Sequence, residues 1–407
     1  MDISFEHFPS FDLSRIAIKL KPFAERHIKK RHPWVFSDAI DKQNKDGQSG
    51  DLAILFDRKT NKFLAAGLYD PDSPIRIKLF QFHDKANIDA EWFDQKVKNA
   101  FELRAQLLET DTNSYRFIFG ENDGLPGFIA DVYDHVLVVK LYSKIWFPYL
   151  KDLLPALIKY SKCTTGILRL SRRVQEDKSQ DFFKDGQLLF GALEEEEIIF
   201  REHGLRFTAN VVRGHKTGYF LDHRHNRQRV GALAKGKKVL DVFAYAGGFS
   251  VHALVGSAHE VISVDISKQA LHMAEKNVEL NDHSGKHQII VGDAFEILAD
   301  LNQQSKQYDL IVIDPPSFAK KKDEVEAAKK QYIRLAALGS SLIARGGTLL
   351  LASCSSRISK DDFKDACFKG IKQSGKSPRI LEETEHDIDH PIGFEEGAYL
   401  KTIYLRF

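Results

Sequence analysis

The stretch Val239–Ser250, VLDVFAYAGGFS, decides the fold. It opens as a short apolar strand, passes through the small residues Ala244, Ala246, Gly247 and Gly248, and leads into an apolar helix. Glycines directly after a strand let the backbone turn tightly and approach a ligand with no Cβ in the way. The full G-x-G-x-x-G spacing of dinucleotide folds is missing, so this stretch alone marks only a nucleotide-binding turn. Four segments downstream set its meaning. Glu260–Asp265 (EVISVD) is a strand ending in an acid that can take both hydroxyls of a ribose, and 289–293 (IIVGD) is another with an acid at its end. Tyr308–Phe318 (YDLIVIDPPSF) ends in Asp-Pro-Pro, and 348–356 (TLLLASCSS) ends in a cysteine. Apolar strands alternating with helices predict a parallel sheet, whose ligands gather at the carboxyl ends of the strands. All five of those ends carry polar residues or glycine.

Working outward, 407 residues suggest two or three domains, and 43% hydrophobic residues are ample for packed cores. No apolar run reaches membrane-spanning length, and the opening MDISFEHF lacks the charged-then-apolar order of a signal peptide. Cys163, Cys354 and Cys367 stand at unrelated spacings, which argues against a disulfide framework or a zinc site and for a reducing cytoplasm. A net charge of +2 leaves any nucleic-acid affinity to local patches. One patch is Arg15–Arg31, where Arg15, Lys19, Lys21, Arg26, Lys29, Lys30 and Arg31 face the single acid Glu25. Trp34, just beyond it, is expected in the core. Short strands at 52–56, 63–68 and 75–80, divided by turn-forming residues, suggest a small nucleic-acid-binding barrel.

Residues 81–200 read as α+β, with helices at 90–108 and 147–160 and strands near 115–119, 128–132, 136–142 and 165–170. The acidic run Glu194–Glu197 reads as a solvated strand edge. A second basic segment, Arg201–Arg229, holds Arg201, Arg206, Arg213, Lys216, Arg224, Arg227 and Arg229 against Glu202 and Asp222. It is placed to hold RNA or to close over a cofactor. His223-x-His225 offers two metal ligands with no third nearby, a weak case for a metal.

The C-terminal half resembles the class I S-adenosylmethionine-dependent methyltransferases. The whole chain resembles the bacterial large-subunit rRNA cytosine-C5 methyltransferases with an N-terminal PUA domain. The likeness is carried by KKRHPWVFS (29–37), ENDGLPG (121–127), HKTGYFLDHR (215–224), VFAYAGGFS, VDIS, DPPSF, SCS, DHP (389–391) and EGAYLK (396–401). Ala246 departs from the Thr that relatives often place before the paired glycines. The resemblance implies a multidomain α/β protein: a PUA-like β-barrel at 1–82, a central α+β domain at 83–200, and a Rossmann-like methyltransferase domain at 201–407 whose last strand, 399–407, runs antiparallel. It implies S-adenosylmethionine as cofactor, held by Lys216, Phe220, Phe243, Tyr245, Gly247, Gly248, Asp265, Ile266, Asp293, Ala294, Asp314 and Pro315, and no metal. Large-subunit ribosomal RNA is the expected partner, bound by Arg26, Lys29, Lys30, Arg31, Arg213 and Arg224. A cytoplasmic enzyme away from membranes is expected; a homodimer stays open.

The residue chemistry suits a cytosine. Its C5 is a poor nucleophile until a thiolate adds to C6, which requires a cysteine beside the cofactor. Cys354, between Ser353 and Ser355, is the candidate nucleophile, and Asp314 the group that would bind the N3/N4 edge of a flipped cytosine. Cys163 and Cys367 are expected to be inert, partly buried thiols. Related RNA enzymes carry a second cysteine after the proline of the Asp-Pro motif; here Ser317 follows Pro316. A base N-methyltransferase would not need Cys354, a small-molecule methyltransferase would not need the basic barrel, and a non-catalytic RNA assembly factor would not need Asp265, Asp293 and Asp314.

Overall fold

A computed structural model describes residues 5–177 and 182–407. The chain divides into two compact units. The first comprises residues 1–200, 209–219 and 388–394; the second comprises 201–208, 220–387 and 395–407.

The first unit contains two sheets. Its N-terminal sheet is built from β1 (Arg15–Leu20), β2 (Trp34–Phe36), β3 (Ile40–Gln43), β4 (Leu52–Phe56), β5 (Phe63–Tyr69) and β6 (Ile75–Phe82), in the order β2-β6-β5-β4-β1-β3. All its pairings are antiparallel except β1 with β4. Helix α1 (Pro22–Lys29) starts with proline at its first position, where the missing N–H would have had no helical partner. Strand β1, RIAIKL, alternates exposed and buried positions, so the basic patch of the sequence is also a strand whose Ile16, Ile18 and Leu20 are core residues. These pack with Leu55, Ile77 and Leu79.

After α2 (Ala90–Leu108), capped by the Asp89 carboxylate on the Trp92 amide at 3.0 Å, comes the second sheet. It consists of β7 (Ser114–Phe119), β8 (Phe128–Tyr133), β9 (Val136–Leu141), β10 (Thr165–Leu170) and β11 (Leu188–Phe190), in the order β11-β10-β9-β8-β7. A 3-10 turn at Lys144–Tyr149 leads into α3 (Leu150–Ser161), and α4 (Arg172–Gln175) follows β10. Phe93, Phe117, Phe128, Trp146 and Leu150 are fully buried at the centre of this core. The helices and strands expected at 83–170 are all present, with bounds moved by a few residues. Strands β12 (Glu197–Glu202) and β13 (Leu205–Asn210) pair as a two-stranded sheet where the chain leaves the first unit.

The second unit carries α5 (Arg224–Leu233), β14 (Lys238–Val242), α6 (Gly248–Val255), β15 (Glu260–Asp265), α7 (Lys268–Glu279), β16 (Lys286–Val291), α8 (Ala294–Gln303), β17 (Tyr308–Ile313), α9 (Val325–Leu342), β18 (Ile343–Cys354), α10 (Lys360–Gln373), β19 (Arg379–Thr384) and β20 (Leu400–Arg406). The sheet order is β16-β15-β14-β17-β18-β20-β19. Strands β14 to β18 are parallel, and β20 runs antiparallel to β18, as expected. The order reverses between β14 and β17, where a parallel α/β sheet opens a crevice for ligands. Leu240, Val242, Ile311, Ile313, Leu349 and Leu351 fill the core from β14, β17 and β18, which is why these strands read as continuous apolar runs. Among the described residues no helix is long and apolar enough to cross a membrane.

Candidate active site

The loop after β14 is built on strained backbone. Phe243 (φ 65°), Tyr245 (φ 48°) and Gly247 (φ 74°) all lie in the left-handed region, which costs side-chain-bearing residues about 1–2 kcal/mol each. Hydrogen bonds hold it there: Ala244 N to Val264 O at 3.0 Å, Tyr245 N to Asp265 Oδ2 at 2.9 Å, and Asn277 Nδ2 to Ala246 O at 2.9 Å. A Cβ on Gly247 would stand 2.7 Å from the Cβ of Ala274, so glycine is needed both for the turn and for the close approach of α7. Gly248 then opens α6.

Around this loop lie most of the residues expected to hold a cofactor. Asp265 ends β15 and also accepts the Ser267 amide on Oδ1 at 2.8 Å, which fixes its carboxylate. Ile266 is 73% exposed and Val291 46% exposed, two apolar side chains left open at the ends of β15 and β16. Asp293 caps α8 through the amides of Phe295 and Glu296, and Ala294 behind it is buried. Phe220 meets the ring of Tyr245 edge-on, centroids 5.1 Å apart. Pro315 is buried in the loop after β17. Lys216 belongs to the first unit, where its carbonyl accepts from Lys140 Nζ at 3.0 Å.

At the ends of β17 and β18 three reactive side chains meet. Cys354 Sγ lies 3.6 Å from Asp314 Oδ1 and 3.7 Å from His223 Nε2, and His223 Nε2 lies 3.3 Å from Asp314 Oδ1. Burial pushes the Cys354 thiol well above its ordinary pKa, and the negative charges of Asp314 and Asp222 add to the shift. For His223 burial works against the charged ring, but the Asp314 carboxylate outweighs it and the pKa rises. Burial brings the Lys401 ammonium down to about 8; it donates to the carbonyls of Ser355 and Tyr399, beside the cysteine. Under the glycine turn, burial raises the Asp241 carboxyl to about 7, and Ser250 Oγ donates to its Oδ2 at 2.6 Å. The cluster sets a thiol, a carboxylate and an imidazole side by side.

The structure corrects three expectations. Arg224, expected to bind RNA, is fully buried and pairs with Asp387 at 3.0 Å. A desolvated guanidinium locked in an ion pair is part of the packing of its unit and is closed to phosphates. Trp34 is only half-buried: its Nε1 donates to Glu121 at 2.9 Å and its ring meets Phe394 edge-on at 5.2 Å. His223 does have further groups nearby, since ligand-capable atoms of His223, Asp314 and Cys354 all lie within 4.8 Å of one another; His225 is not among them. The other basic residues expected to face RNA are exposed. Arg26, Lys29, Lys30 and Arg31 lie on and just after α1, with Lys29 bridged to Glu25 and Asp57 at 2.7 Å each. Arg213 is 80% exposed and 3.2 Å from Glu196. Cys163 and Cys367 are more deeply buried than expected, and burial lifts the Cys163 thiol to about 11.

His223 is the member of this cluster that the sequence undervalued. Its signal was present in HKTGYFLDHR, but its partners lie 91 and 131 residues away in sequence.

Comparisons with known proteins give the family and the fold. Residues 128–394 match the family model of S-adenosylmethionine-dependent methyltransferases, and residues 18–82 match that of PUA-like domains. The ribosomal RNA large subunit methyltransferase of Deinococcus radiodurans is 40% identical over 98% of this chain and 99% of its own length. The ribosomal RNA large subunit methyltransferase I of Tolumonas auensis is 33% identical over 96% of this chain and 98% of its own. Among solved structures, a SAM-dependent methyltransferase structure from Streptococcus mutans aligns at TM-score 0.80, with 22% identity, over 96% of this chain and 100% of its own, a likeness of fold. The chain therefore belongs to the S-adenosylmethionine-dependent methyltransferases that join a PUA-like domain to a class I methyltransferase fold, the family of the bacterial large-subunit ribosomal RNA methyltransferases.

Proposed function

We propose that this protein methylates C5 of a cytosine in large-subunit ribosomal RNA through a covalent adduct on Cys354. The observation that carries the reading is the placement of Cys354 Sγ 3.6 Å from Asp314 Oδ1, at the ends of adjacent parallel strands. A thiol aimed beside a carboxylate can add to C6 of a cytosine whose N3/N4 edge the carboxylate holds. The names of the relatives supply the RNA class.

S-adenosylmethionine supplies an electrophilic methyl group. The residues present fit it: the glycine turn after β14 would take the methionine end, the Asp265 carboxylate, held by the Tyr245 and Ser267 amides, would take the ribose hydroxyls, and the exposed side chains of Ile266 and Val291 would flank the base near Asp293. Phe243, Tyr245, Phe220, Ala294 and Pro315 would complete the cofactor site in this reading. Residues 1–82 capture RNA through Arg26, Lys29, Lys30 and Arg31, residues 83–200 form the central domain, and 201–407 carry the chemistry, with Arg213 adding a phosphate contact. Phosphate contacts of this kind give affinity that falls with salt.

The test is to incubate the protein with labelled S-adenosylmethionine and undermodified ribosomal RNA and identify the methylated nucleoside. RNA carrying 5-fluorocytosine should trap the wild-type enzyme covalently, and Cys354→Ala should lose transfer while binding both ligands. Normal turnover by Cys354→Ala, or a product methylated on an exocyclic nitrogen, would overturn the C5 assignment in favour of N-methylation on the Asp314-Pro315-Pro316 loop.

A further inference from the structure

His223 is almost entirely buried, at 3% exposure, and its two nitrogens face different neighbours. Nε2 points at Asp314 Oδ1 (3.3 Å) and Cys354 Sγ (3.7 Å); Nδ1 lies 3.1 Å from the carboxamide nitrogen of Asn226. Asn226 is itself fully buried and held on every side. Its Oδ1 accepts from Thr384 Oγ1 at 2.7 Å and from the Tyr404 hydroxyl at 2.9 Å, and its Nδ2 also points at Thr402 Oγ1 at 3.4 Å. With its oxygen saturated by two hydroxyls, Asn226 presents an N–H to the ring, so Nδ1 is the acceptor and the ring hydrogen sits on Nε2. A second proton on the ring would leave Nε2 protonated as well. In either state Nε2 is a donor, aimed between the carboxylate and the sulfur.

We propose that His223 is the hydrogen-bond donor that stabilises the Cys354 thiolate during attack, in the tautomer set by Asn226, and that Asp314, not His223, receives the thiol proton. This rests on Cys354 being the nucleophile of the reaction proposed above. In the step so defined the S–H bond breaks and its proton passes to Asp314 Oδ1, while the sulfur pair forms the S–C6 bond. The C5=C6 pair moves towards N3, which takes the proton from Asp314, leaving the carboxylate free and C5 enamine-like. The sulfur needs such a donor because its surroundings disfavour a negative charge. Burial and the carboxylates of Asp314 and Asp222 raise the thiol's pKa, and Lys401, whose charge works the other way, spends hydrogen bonds on the Ser355 and Tyr399 carbonyls. Arg227, His225 and Asp222 are the other charged or titratable groups bearing on the ring, and Phe249 covers it edge-on at 5.5 Å.

The test reads the thiol without any RNA. Alkylation of Cys354 by iodoacetamide is followed across pH on the full-length protein, and the modified peptide is quantified by mass spectrometry. A hydrogen bond to a charged group is worth about 1.5–3 kcal/mol, so His223→Leu should shift the thiol midpoint upward by about one to two units and slow methyl transfer tenfold or more. His223→Gln, which keeps an N–H donor, should recover much of both. The nitrogen-15 spectrum of wild type, with the His223 signals identified by their loss in His223→Gln, should show a protonated Nε2. Cofactor affinity should be unchanged in both variants and serves as the check that they are folded. A bare Nε2, an unmoved thiol midpoint in His223→Leu, or a folded His223→Gln as impaired as His223→Leu would each overturn the assignment. Failure of the 5-fluorocytosine adduct would instead strike the nucleophile reading and leave the titration result standing.

Discussion

Replacing Arg227 by leucine strands the Glu202 carboxylate in the interior. Both side chains are buried, and the guanidinium holds the carboxylate through two bonds, Nε to Oε1 at 2.7 Å and Nη2 to Oε2 at 2.6 Å. Nη1 donates to the Phe220 carbonyl at 3.0 Å, so the same residue anchors the segment ahead of α5, the helix that follows His223 and carries Asn226. His252 Nε2 lies 2.9 Å from Oε1. Removing one partner of a buried pair costs about 3–5 kcal/mol, because the other charge is left uncompensated. The pH dependence has a definite sign. Burial by itself would raise the Glu202 pKa, but Arg227 and His252 outweigh it and hold the carboxyl well below the usual glutamate range. In the wild type this group therefore contributes stability that is present above the ordinary value of 4.5 and is lost as pH falls below it. Without Arg227 burial prevails, the folded pKa moves above 4.5, and the carboxylate destabilises the fold more as pH rises. The stability gap between the two proteins should be about 3–5 kcal/mol near pH 7 and narrow towards about pH 5. Urea unfolding followed by near-ultraviolet circular dichroism measures it. Replacing Glu202 by leucine as well should restore most of the loss, since a well-packed apolar pair is often as stable as a buried ion pair. A gap of the same size at both pH values, or below about 1 kcal/mol at neutral pH, would refute the reasoning.

Other sites give equally direct outcomes. Asp265→Ala should weaken S-adenosylmethionine binding by about tenfold or more in calorimetry, the loss of a charge-assisted hydrogen bond; an unchanged affinity would remove Asp265 from the ribose site. Gly247→Ala forces a Cβ to 2.7 Å from Ala274 and an L-residue to φ 74°, so it should lower stability and abolish cofactor binding. Normal binding there would mean that α7 yields easily. Replacing Lys30 and Arg31 together by alanine should weaken ribosomal RNA binding and flatten the slope of log K against log salt by about 1.4–1.8, with cofactor affinity intact. An unaltered slope would take α1 out of the RNA contact.

The methyltransferase sheet was legible because buried parallel strands are apolar along their length, and Glu260–Asp265 was readable to the residue. Strand β18 starts at Ile343, ahead of the apolar run that begins at Thr348, because Ile343 already pairs with Tyr308 of β17 across an irregular register before the regular pairing of Thr348 with Leu310. Strand β1 was hidden for the opposite reason: its alternation carried lysine and arginine on one face, and the charge masked the period. In the site, Asp314 and Cys354 could be found from motifs at the ends of strands. Arg224 and His223 could not be told apart by sequence, since both sit in one basic stretch. Asp387 holds the first in a buried ion pair, while the second lies against Asp314 and Cys354, and neither contact is local.

Residues 388–394 belong to the first unit although most of the sequence around them belongs to the second. Within that unit Asp389 accepts the Arg116 amide on Oδ2 at 2.9 Å and takes a bond from Arg104 Nη2 on its carbonyl at 3.1 Å. During synthesis at roughly 5–20 residues per second, the ribosome needs about 10–40 s to pass from residue 200 to residue 394. Through that interval Arg104 and Arg116 await Asp389, and the first unit is completed only after most of the second has been made. A protease cut or a stop codon placed between the two halves thus damages both: no single break in the chain releases the catalytic half whole and leaves the other complete.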